Sequence, residues 1–91
     1  MIGPLIEKIE RRNRSLAEQL QRASVSIVSH IDEGRGAKPQ QKAHFFRMAL
    51  GSAREVTSQI RVAQAWGYVD DTRPVLEILD RVRAMLWRLS S

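Results

Sequence analysis

An all-α fold, an up-and-down antiparallel four-helix bundle with a short first helix, is what this 91-residue sequence predicts. Three observations carry the prediction. Apolar side chains recur at steps of three and four in four separate stretches, the spacing that lines up one face of a helix. Glycine, proline and capping residues fall between the stretches. No stretch alternates apolar with polar as a half-buried strand would. Four amphipathic rods joined by short turns neighbour one another antiparallel, because each apolar stripe needs a partner within reach.

The first helix opens at Gly3-Pro4, with proline in the first turn where its missing N–H is harmless, carries Leu5, Ile6 and Ile9, and ends near Arg12-Asn13. Ser15-Leu16-Ala17-Glu18 reads as a capping box that starts the second. Its stripe is Leu16, Leu20, Ala23, Ile27 and Ile31, with Val28 widening it. Gly34-Arg35-Gly36-Ala37-Lys38-Pro39 then reads as a tight turn, glycine stopping one helix and proline opening the next. From Pro39 to Trp66 the positions Phe46, Ala49, Ala53, Val56, Ile60 and Ala63 alternate steps of three and four. That is a bundle seam, and its three alanines invite close approach. Gly67 ends this longest helix, and Asp70-Asp71-Thr72 caps the last, which carries Val75, Leu79, Val82, Leu86 and Leu89 with Ile78 and Met85 beside them.

The length fits a single domain over residues 1–91, which buries only about 60–65% of the surface of its unfolded chain, so self-association would add stability. With no cysteine, disulfides, thiolate metal sites and cysteine nucleophiles are excluded. No apolar run approaches the ~20 residues of a membrane span, and no signal peptide is legible, so a cytoplasmic protein is expected. No nucleophile elbow, phosphate loop or paired-carboxylate spacing appears, and no enzyme, cofactor or small-molecule substrate is expected. His30 and His44 flank the turn with Asp32 and Glu33 nearby, but that spacing matches no closed ligand set, and no metal is expected.

Fifteen Lys and Arg against ten Asp and Glu give a net charge of +5, which favours polyanionic partners. The whole excess lies in the first 54 residues. Several basic side chains stand four from an acid, Glu7 with Arg11, Glu10 with Arg14, Glu18 with Arg22, and Glu77 with both Arg73 and Arg81; such pairs mostly solubilise a helix face. Lys42, Arg47, Arg54 and Arg61 have no acid three or four residues away, and the last three repeat every seven residues, so they form one slowly drifting stripe. With Arg35 and Lys38 in the adjoining turn, they are the candidate phosphate-binding residues, because a guanidinium fork suits phosphate. The competing reading has them bonded to acids on a neighbouring helix or subunit. Phe45 is the one aromatic near the start of the stripe, so backbone contact is expected before base reading. Gly51, Ser58 and Ala65 share that flank, marking either a subunit interface or tight packing inside the bundle. Trp87 and Tyr68 would anchor a protein partner if the chain were an interaction adaptor.

Four blocks carry a family resemblance: Gln19-Leu20-Gln21-Arg22-Ala23-Ser24-Val25-Ser26-Ile27, Glu33-Gly34-Arg35-Gly36, Ala49-Leu50-Gly51-Ser52-Ala53-Arg54-Glu55 and Trp66-Gly67-Tyr68. In order and spacing they resemble the bacterial four helix bundle protein family, also called the ribosomal RNA intervening-sequence protein family, which includes the accessory variability determinant of diversity-generating retroelements. The resemblance implies an up-and-down protomer, a ring-like homopentamer in several members, and nucleic-acid or reverse-transcriptase binding in the retroelement branch. The family pattern usually has Asn in place of His30, Ala in place of Asp32, and a longer first helix.

Overall fold

A computed structural model describes residues 2–91, in which four helices follow one another: α1 (Ile2–Glu10), α2 (Arg14–Gly36), α3 (Pro39–Ala65) and α4 (Arg73–Leu89). No strand occurs among the described residues. The α2–α3 pair has the most extensive contact, followed by α3–α4 and then α1–α2, so α3 is the central rod of an antiparallel bundle measuring 43 × 21 × 17 Å. The seam of α3 is as its spacing predicts. Ala49, Ala53, Val56, Ile60 and Ala63 are all completely buried, and the small side chains let helix axes come close.

The helix ends differ from the sequence reading in instructive ways. The cap of α2 is Asn13, whose Oδ1 accepts from the Leu16 N–H at 3.0 Å, whereas Ser15 lies inside the first turn with its hydroxyl near Gln19. Two residues of offset decide this: Asn13 has extended backbone and can turn its side chain back onto the helix, and Ser15 is already helical. Gly34 does not stop α2, which runs on through Gly36. It is buried because the Phe46 ring lies on it; a Cβ there would stand 2.8 Å from a ring carbon. Gly34→Ala is therefore expected to cost stability despite the better helix propensity of alanine, by a net amount of about 1 kcal/mol, since overpacking costs about 1–3 kcal/mol and the propensity gain is about 1 kcal/mol. A chemical denaturation midpoint at or above that of the parent protein would refute this.

Gly67 closes α3 as expected, with φ of 77°, the left-handed conformation that glycine adopts without strain. Asp71 begins α4: its carboxylate accepts from the Arg73 N–H at 3.1 Å and from the Arg73 guanidinium at 3.3 Å. The backbone hydrogen bond, ahead of the ion pair, holds the Asp71 carboxyl below its ordinary pKa. Thr72 is buried and turns its hydroxyl to the Gln64 side chain of α3, tying the start of α4 down.

Of the helix-surface ion pairs expected at a spacing of four, none forms among the described residues; Arg14 instead pairs with Glu18, Arg73 with Asp71 and Arg83 with Asp80. Long exposed side chains choose among several nearby acids at little energetic difference.

The core is unequal along the bundle. At one end Ile9 of α1 joins Leu20 of α2, Ile60 of α3 and Leu79 of α4 in a cluster to which all four helices contribute. At the other end Phe46, Ala49, Leu50, Ala53 and Leu86 pack with Ile27, Ile31 and Val82, and α1 contributes nothing. The nine residues of α1 reach only about 13 Å, against about 34 Å for α2. Val28, read as widening the buried stripe, is exposed, as is Val25. Leu89, Ile78 and Met85 of α4 are likewise in solvent.

Candidate nucleic-acid interface

Arg47, Arg54 and Arg61 stand in one exposed row on the outer side of α3. Each is about 10.5 Å further along the axis than the last, because seven residues rise 1.5 Å apiece. Arg54 is exposed although Leu50 and Thr57, about 40° and 60° round the helix from it, are buried, so the row runs along the border of the packed face. Gly51, Ser58 and Ala65 lie between and beside these arginines and are exposed; a Cβ on Gly51 would meet nothing. Tight packing inside the bundle is thus not what the glycine serves.

The six basic candidates do not form one surface. Lys42 is five residues from Arg47, which places it on a different flank, and its Nζ donates to the carbonyls of Gly34 and Arg35 at 3.3 and 3.0 Å. It caps the C-terminus of α2, where a cation meets the negative end of the helix dipole. Arg35 and Lys38 are exposed beside it at the α2–α3 turn, forming a cluster at one end of the bundle. Arg47 donates Nη2 to the Ser90 carbonyl at 3.1 Å, doing for α4 what Lys42 does for α2. Among the described residues neither is bonded to an acid; their partners are helix-end carbonyls, and the positive charge stays. Arg35, Lys38, Arg54 and Arg61 make no ion pair or side-chain hydrogen bond among the described residues.

The aromatic residues are redistributed too. Phe45, two residues before Arg47, falls on the opposite side of α3 and sits edge-on to His44 with ring centroids 5.4 Å apart. Tyr68 is half-buried, with the Arg12 guanidinium 5.4 Å above its ring. Both tryptophans are exposed, Trp66 at 71% and Trp87 at 61%. Trp66 is five residues past Arg61 and so on another flank, which it shares with the exposed Met48 and Val62. Trp87 belongs to α4 yet faces the same side as the stripe. Val82 packs against the core cluster that Ile27 and Ile31 of α2 also join, whereas Ser90, three residues after Trp87 and so about 60° from it round the helix, accepts from Arg47 of the row. Trp87, about 140° round from Val82, is on that Arg47 side of α4. No periodicity within either helix signals this, because it depends on how α3 and α4 are set against each other.

The histidines are engaged separately. His30 Nδ1 is 3.1 Å from Glu33 Oε1, and His44 pairs with Phe45. Among the described residues no three His, Asp or Glu side chains gather in a metal-holding group, and no helix is long and apolar enough to cross a membrane.

The model of one family, described as 23S rRNA-intervening sequence protein, matches residues 4–88. No curated protein and no solved structure matches the chain.

Proposed function

We propose that this chain, which belongs to the 23S rRNA-intervening sequence protein family, is a non-enzymatic cytoplasmic helical bundle that binds RNA or DNA through phosphate contacts along the outer face of α3. The observation that carries this reading is the row of Arg47, Arg54 and Arg61, exposed, regularly spaced and, among the described residues, without acidic partners. Small side chains between them leave room for a backbone to lie close. Binding proceeds by release of counterions from the phosphates, so affinity falls as salt rises. The turn cluster of Arg35, Lys38 and Lys42 adds positive potential at one end.

The same reading includes self-association, with a ring of five the assembly that the family resemblance implies. Two different exposed apolar flanks support it. Ile78, Met85 and Leu89 line α4 at helical spacing, and Met48, Val62 and Trp66 line α3. Unlike patches on one protomer favour a head-to-tail contact, which closes into a ring when the rotation allows. These flanks also support a second reading, an adaptor that docks a protein such as a reverse transcriptase with nucleic acid incidental.

Fluorescence anisotropy at about 50 mM salt, where phosphate contacts are strong, tests the first reading. Binding that weakens steeply with added salt is expected. Absence of binding to single-stranded, duplex and structured nucleic acid alike overturns it and leaves the adaptor. Light scattering tests the assembly against the 10.4 kDa protomer mass.

A further inference from the structure

The bundle places a stacking platform beside the arginine row, and we infer that the ligand of this face is an unpaired nucleic-acid strand, one base of which stacks on Trp87 while its flanking phosphates meet Arg54 and Arg47. The inference rests on the nucleic-acid reading above and names the form of nucleic acid that the site takes.

Two hydrogen bonds, one at each end, fix how α3 and α4 lie against each other: Thr72 to Gln64 and Arg47 to Ser90. Between these ties the antiparallel helices are in register, so Trp87 stands level with Ala49 and Leu50, within the interval from Arg47 to Arg54 along α3. It lies on the edge of α4 that Arg47 meets through the Ser90 carbonyl, three residues further on. Trp87 is 61% exposed, so burial does not account for it. One turn earlier on α4, Arg83 is level with Ala53 and Arg54, its Nη2 held by Asp80 at 3.1 Å. A flat aromatic face flanked by guanidinium groups is the arrangement that binds single strands, because every base has a π-face and every linkage a phosphate. Bases in a duplex are stacked on their own neighbours and cannot use it.

The test uses the full chain with Trp66→Phe, leaving Trp87 as the only tryptophan. A twelve-nucleotide oligouridine is titrated against a duplex and an abasic oligomer carrying the same number of phosphates. The expected result is quenching of Trp87 emission by oligouridine and by neither control. Trp87→Ala raises the Kd for oligouridine about tenfold, the loss appropriate to one stacked base, and leaves the abasic Kd unchanged. Trp87→Phe restores most of the affinity, while Trp66→Ala changes nothing. An exposed side chain makes these variants safe for folding, which far-ultraviolet circular dichroism verifies. Salt-dependent binding that is equal for oligouridine and duplex and indifferent to Trp87 overturns this inference and leaves backbone binding standing. No binding to any of the three overturns both.

Discussion

Ile60→Ala lowers the stability of the bundle by about 2–5 kcal/mol, enough to remove a large part of its total. Ile60 is completely buried in the one cluster to which all four helices contribute, so nothing can close over the missing atoms without dragging a helix with it. The loss combines the transfer energy of the removed methylene and methyl groups with that of an unfilled cavity. A domain of this length has about 5–14 kcal/mol in all. At about 4–8 °C per kcal/mol, the melting temperature falls by about eight degrees or more. Thermal denaturation followed by circular dichroism reads this directly, and a shift within two or three degrees would show that the four-helix end is not what holds the molecule together. Self-association makes the midpoint depend on concentration, so parent and variant are compared at equal protein concentration.

Arg54→Gln combined with Arg61→Gln is expected to remove most of the salt dependence of nucleic-acid binding while leaving the fold intact. Both side chains are exposed and bonded to nothing among the described residues, so stability should change by no more than about 0.5 kcal/mol. Arg47 is left in place because it also caps α4 through the Ser90 carbonyl, and its loss would confuse binding with folding. On a single strand each phosphate contact contributes about 0.7 to the slope of log affinity against log salt. Three contacts give a slope of about 2.1, hence a loss of about twentyfold between 50 and 200 mM salt; one remaining contact gives about threefold. A parent and a variant with equal slopes would place the phosphates elsewhere, the turn cluster of Arg35, Lys38 and Lys42 being the next site to substitute. If instead the variant loses its oligomeric mass, the row is a subunit interface.

The two variants probe the parts of the molecule that the sequence announces most and least clearly. Ile60 is legible as core because its neighbours Val56 and Ala63 recur at helical spacing. The arginine row is legible for the same reason, since a repeat of seven drifts little round a helix. Where the reading missed, the cause lay between elements. Val28 widens the apolar stripe of α2, but no neighbouring helix covers it among the described residues. Gly34 carries the usual mark of a helix stop, yet its place is set by Phe46 from the next helix. Lys42 and Arg47 lack acids within their own helices, and their partners prove to be carbonyls at the ends of two other helices.

By itself, then, the sequence determined the four helices, their order, the buried seam of α3 and the outward row of Arg47, Arg54 and Arg61. Each of these follows from the 3.6-residue period and from glycine and proline at the turns, properties that a segment has before it meets any other. The tertiary structure alone decided that Trp87 of α4 stands beside that row, and that Phe46 of α3 closes on Gly34 of α2. Those facts depend on the register and rotation of one helix against another. The two ties between α3 and α4 set the first, and both arise only when side chains distant in the chain compete for the same space.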